Sequence, residues 1–244
     1  MNNHKISAPN HSIIEKRIPD IVNDLIEWFR LYGRDLPWRH TRDPYQILIS
    51  EIMLQQTNVD LVIPIFKRFL KKFPTIQSLA RGKISDIRAI TDQLGYKRRG
   101  LYLQQIARQI VSEKGGIIPA TLEGLISLKG IGRYTAGAIL SFAYELQDKD
   151  AAIVDVNVER IIIRAFALWD REKNAALEKE IWMVAENITV SSKDSWTINQ
   201  GLLDLGATIC VSQKPKCHIC PIKASCEYYI QIIPKLVPLE SFFS

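Results

Sequence analysis

Apolar residues recur at intervals of three and four along almost the whole chain, and that spacing predicts helices rather than strands. The segment IVNDLIEWFRLYG carries one such stripe and stops at Gly33, a residue suited to a helix end. In RDPYQILISEIMLQQT, Asp43 is placed to cap a helix whose first position is Pro44. VDLVIPIFKRFLKKF follows and ends before Pro74, and KRRGLYLQQIARQIVSE sets Leu103, Ile106, Ala107 and Ile110 on one face. Further helices are expected over 134–145, 156–168, 174–189 and 195–209. Strand alternation is scarce and the hairpin dipeptides Asn-Gly and Asp-Gly are absent, so the expected fold is all-α, with about ten helices. Residues 1–19 are polar, contain two prolines and read as a loose tail.

Bulk properties narrow this only a little. A chain of 244 residues can bury a sizeable core as one domain or as two small lobes. No apolar run approaches the roughly 20 residues that span a bilayer. The opening MNNHKISAPNHSIIEK lacks an apolar signal core, so a cytoplasmic protein with no membrane partner is expected. The net charge of +6 and the pI near 9.1 suit a polyanionic partner such as nucleic acid.

The candidate chemistry lies in short stretches. In LKGIGRYTAGAI, Gly130 and Gly132 flank Ile131 in front of an apolar helix, with Arg133 alongside. Either the turn packs two helices, or its N–H groups at a helix start receive a phosphate. Cys210, Cys217, Cys220 and Cys226 are the only cysteines in the chain and are separated by six, two and five residues. Four thiolates so close can enclose a [4Fe–4S] cluster or zinc; a single Cys-x-x-Cys pair favours iron–sulfur. Lys214 and Lys216 flank Pro215 in the loop and are either solvated or in reach of a phosphate backbone. Asp155, in AAIVDVNVERIII, reads as a helix N-cap, a role compatible with supporting a cationic transition state. Glu51 sits in the apolar stretch ILISEIMLQQT and is either a buried glutamate satisfied by Arg39 or Arg42, or a proton donor.

Jointly, LPWRHTRDPYQILISEIMLQQT, LGYKRRG, LKGIGRYTAGAI, IVDVNVERI and the cysteine loop resemble the helix-hairpin-helix DNA glycosylases, in that family's order and over about 36–229. The nearest subgroups are the MutY-type adenine glycosylases and the short thymine/uracil mismatch glycosylases. The resemblance implies a six-helix barrel lobe over 36–145 ending in a hairpin at 121–140. It also implies an iron–sulfur lobe from 20–35 and 146–230, with its [4Fe–4S] loop at 210–226. A short tail at 231–244 would then take the place of an 8-oxoguanine-recognition domain.

By the same resemblance, a monomeric glycosylase of this kind would grip mismatched or damaged double-stranded DNA and flip the target base out of the stack. Asp155 would support the oxocarbenium-like sugar, Asn157 would orient Asp155, and Glu51 would protonate a purine leaving group. Gln55, Gln56 and Tyr96 would wedge the duplex and touch the opposite strand, while Gly130, Gly132 and Arg133 hold phosphate. Tyr134 stands where bifunctional relatives of the endonuclease III type carry a lysine. A phenol cannot form their imine, which implies a monofunctional enzyme that uses water. The excised base is expected to be adenine opposite guanine or 8-oxoguanine. Thymine or uracil opposite guanine is the alternative, and a catalytically silent DNA-binding module a remoter one. Two residues depart from the MutY-type pattern: Val156 replaces a glycine and Lys97 a second tyrosine.

Overall fold

The computed structural model describes residues 11–236, all of whose regular elements are helical. In chain order the α-helices are α1 (His11–Tyr32), α2 (Pro44–Leu54), α3 (Val59–Lys72), α4 (Ile76–Arg81), α5 (Ile84–Thr91), α6 (Arg99–Glu113), α7 (Leu122–Ile126), α8 (Arg133–Phe142), α9 (Val156–Ala165), α10 (Ala175–Ser192), α11 (Ser195–Thr208), α12 (Glu227–Gln231) and α13 (Ile233–Leu236). They fall into two compact units. One is the continuous stretch Asp35–Leu146; the other joins the residues up to Arg34 to those from Gln147 onward.

The continuous unit is built around α2, which packs on α3, α6 and α8. Ile47, Leu48, Ile49, Ile52 and Met53 are all buried, because α2 is apolar around most of its circumference and so needs neighbours on every side. Asp43 caps it through the Tyr45 amide at 2.9 Å, with Pro44 in the first turn. Short α4 and α5 pack on α6. Thr75 and Ser78 form a reciprocal capping box that starts α4.

In the discontinuous unit, α1 packs against α10 and α11, and α9 against both of those helices. Ile14, Ile18, Ile21, Val22 and Leu25 recur on one face of α1 and enter a core with Val158, Ile162, Val184, Ile188, Ile198 and Leu202. Each such side chain contributes roughly 1.5–3 kcal/mol on burial. This corrects the expectation of a loose tail through residue 19: the helix begins at His11 and runs through Pro19. The stripe from Ile14 holds that first stretch in place despite the polar residues between. Residues 1–10 of that expected tail lie outside the described residues, as do 237–244 of the expected C-terminal tail, whose first residues enter α12 and α13.

Arg34, just past α1, donates to the nearly buried Asp204 of α11 from its backbone N at 2.8 Å and its Nε at 2.8 Å, with Nη2 at 2.7 Å from the same carboxylate. The short C-terminal turns and the cysteine loop complete this unit.

Candidate functional site

Asp155 is the N-cap of α9. Its Oδ1 accepts from the amides of Asn157 at 2.9 Å and Val158 at 2.8 Å, which leaves Oδ2 to take the Asn157 side-chain amide at 2.8 Å. Asn157 is held in turn by Arg160, whose Nη2 donates to Asn157 Oδ1 at 2.8 Å and to the Gly206 carbonyl at 2.8 Å. The absence of a side chain at Gly206 lets α11 approach this corner: a Cβ there would lie 2.6 Å from Asn157 Cβ. Val156, the residue that replaces a glycine, is 72% exposed. The result is a fixed anion whose orientation is set by three local donors.

The same unit gathers all four cysteines along one small pocket. Arg164, one turn beyond Arg160 on α9, donates to the carbonyls of Val211 at 2.7 Å and Ser212 at 2.9 Å and reaches Cys210 Sγ at 3.4 Å. Its guanidinium also lies 5.2 Å above the ring of Tyr228. Burial, helped by the neighbouring cysteines, pushes the Cys220 thiol up to about 12 and the Cys226 thiol up to about 11. Bare, these two thiols stay protonated at neutral pH, and a bound cation is what would draw the protons off. Among the described residues no three His, Cys, Asp or Glu side chains stand ready in a coordination geometry. The donor set of four neighbouring sulfurs with an arginine beside them nonetheless suits an anionic thiolate centre. Lys214, in a left-handed conformation at φ 50°, and Lys216 lie on the same loop.

In the continuous unit, Glu51 is 4% exposed within α2. Arg42 meets Glu145 through its Nε at 2.6 Å. The turn before α8 is shaped by Leu128 and Ile131, both buried, and by Gly130 at φ 83°. A Cβ on Gly130 or Gly132 would meet nothing within 4 Å, so the turn presents bare backbone to solvent. Gly132 caps α8 without a side-chain acceptor, which leaves first-turn N–H groups directed outward beside exposed Arg133. Tyr134 is half-buried in that first turn.

Gln55, Gln56, Tyr96 and Gly130 come together along a second pocket of about 310 Å³, with Arg99 and Tyr102 in its lining. Tyr102 is not among the sequence candidates, yet its ring stacks on Tyr96 at 6.1 Å and 24°. Its signal in the sequence is weak, because a tyrosine six positions along, inside a helix, does not announce contact with a loop residue.

The family described as HhH-GPD superfamily base excision DNA repair protein matches residues 49–187. The adenine DNA glycosylase of Buchnera aphidicola subsp. Acyrthosiphon pisum (strain APS) is 40% identical over 89% of this chain; the match spans 61% of that protein's length. The thymine-DNA glycosylase of Aeropyrum pernix is 33% identical, over 87% of this chain and 96% of that protein. The solved structure of a thermostable thymine-DNA glycosylase superposes with a TM-score of 0.80 at 32% identity, covering 88% of this chain and 97% of the other.

Proposed function

Because the chain belongs to the HhH-GPD superfamily of base excision DNA repair proteins, we propose that it is a monofunctional DNA glycosylase that hydrolytically releases mispaired adenine. The observation that carries this reading is Asp155, an anion locked by two backbone amides and Asn157. As the N-glycosidic bond breaks, its electron pair leaves with the base and positive charge develops on the sugar. A carboxylate fixed in advance stabilises that charge without reorganising.

Adenine leaves readily only once a ring nitrogen is protonated, and Glu51, buried in apolar α2, is the acid for that step. Water then adds to the sugar carbon and gives its proton to the Glu51 carboxylate, which the first step left deprotonated. Tyr134 offers no amine for an imine, so the product is an abasic site in an uncut strand. Gly130, Gly132, Arg133, Lys214 and Lys216 would hold the DNA backbone, while Gln55, Gln56 and Tyr96 read the opposite strand. Cys210, Cys217, Cys220 and Cys226 would hold a [4Fe–4S] cluster, whose chemistry here is to pin the loop that carries the two lysines.

A second reading, release of thymine or uracil opposite guanine, is favoured by the near-complete coverage of the Aeropyrum pernix relative. Single-turnover base release on duplexes carrying A:8-oxoguanine, A:G, T:G and U:G separates the two. Product is read with and without alkali. Adenine release that needs alkali to cut the strand supports the first reading; thymine or uracil release replaces it with the second. Tight binding with no release of any base overturns both.

A further inference from the structure

Beneath the surface formed by Gln55, Gln56 and Tyr96 lies a residue that the proposed chemistry leaves unused. Arg99, in the first turn of α6, is 2% exposed. Its Nη2 donates to the Gln55 carbonyl at 2.6 Å and the Thr57 hydroxyl at 2.9 Å; Nη1 reaches the Leu94 carbonyl at 3.4 Å. Gln55 and Thr57 belong to the turn between α2 and α3, and Leu94 to the turn that presents Tyr96. The Thr57 hydroxyl lies 3.1 Å from the Gln55 carbonyl and 3.3 Å from that of Leu94, but its one proton serves one of them at a time. The hydroxyl can link the turns by donating to Leu94, whereas the guanidinium fork bonds to both turns whichever way that proton points.

The first turn needs holding. Gln56 sits at φ 54°, a left-handed conformation that a residue with a side chain keeps only where its surroundings impose it. The turn is closed by a single backbone bond, Thr57 N to the Leu54 carbonyl at 3.2 Å. All three acceptors of Arg99 are neutral oxygens, so a buried cation is maintained here by two loops whose exposed residues would meet DNA.

Resting on the glycosylase reading, we infer that Arg99 is a positioning residue that fixes Gln55, Gln56 and Tyr96 relative to one another and thereby sets discrimination of the base opposite the target. Arg99→Lys keeps a cation but loses the planar fork that spans both turns. Thr57→Val removes one anchor and leaves the arginine in place, so it serves if Arg99→Lys fails to fold. The full chain is measured in two ways: amide hydrogen exchange, and single-turnover release, corrected for active fraction, with guanine or cytosine opposite the target.

Expected in either variant is exchange about tenfold faster at 54–58 and 94–97 alone. The guanine-to-cytosine rate ratio is expected to fall about tenfold in Arg99→Lys and less in Thr57→Val. A merely structural residue would lower release on both duplexes alike and leave the ratio unchanged, which overturns the assignment. Unchanged exchange in the two turns overturns it as well. Should the unmodified protein release no base, the glycosylase reading falls by itself, and the exchange data alone uphold or overturn the tether.

Discussion

Asp155 shows how much one residue can be asked to do. Its two cap bonds start α9, and the same bonds hold the carboxylate at a fixed angle, so structure and proposed chemistry use one set of donors. Asp155→Asn keeps a cap acceptor and removes the charge. It is expected to slow base release by about 10³-fold or more, while the affinity for mismatched duplex, measured by fluorescence anisotropy, changes little. Near-normal turnover would remove Asp155 from the mechanism. Tyr134→Lys places an amine in the first turn of α8, and borohydride trapping of a protein–DNA adduct is the expected gain. Asn157 entered only through the family resemblance, whereas the cap at Asp155 was legible in the sequence because a cap acts over two or three residues. Arg99 was not: in YKRRG it reads as one of a solvated basic run, and only the folded turns show which of the three cations is buried.

Among elements, the contact of α9 with α11 depends on Gly206. Gly206→Ala would push a methyl against Asn157, at an expected cost of about 1–3 kcal/mol by urea denaturation. A fall in base release beyond that explained by the folded fraction would show that the helix contact also sets the Asn157–Asp155 geometry. Gly130 poses a different problem, since open space surrounds it and only its φ of 83° excludes a side chain. Gly130→Ala should cost about 1 kcal/mol and weaken DNA binding without altering opposite-base preference. The long periodic helices were readable from the chain. The start of α1 was hidden by polar residues and Pro19, and α4, α5 and α7 are too short for periodicity to reveal.

For the whole molecule, a net charge of +6 predicts DNA affinity that falls steeply with salt. Replacing both Lys214 and Lys216 by alanine should reduce the slope of log K against log salt by about two, because two fewer phosphates are neutralised on binding. Removing iron with a chelator is expected to abolish the visible iron–sulfur absorbance and loosen residues 210–226, read as faster proteolysis there, while α2 and α8 stay protected. Absence of iron in protein purified anaerobically would return the four thiols to a purely structural role. The discontinuity of the unit that joins α1 to α9, α10 and α11 also fixes an order of events during synthesis. The stretch Asp35–Leu146 has all its internal partners once Leu146 has emerged from the ribosome, and can close on itself there. Helix α1 emerges earlier but finds α10 only after Ser192 and α11 only after Thr208, so the apolar stripe from Ile14 to Leu25 stays uncovered until then. During synthesis, α1 is therefore an apolar surface that waits for its partners while the stretch after it is already able to fold.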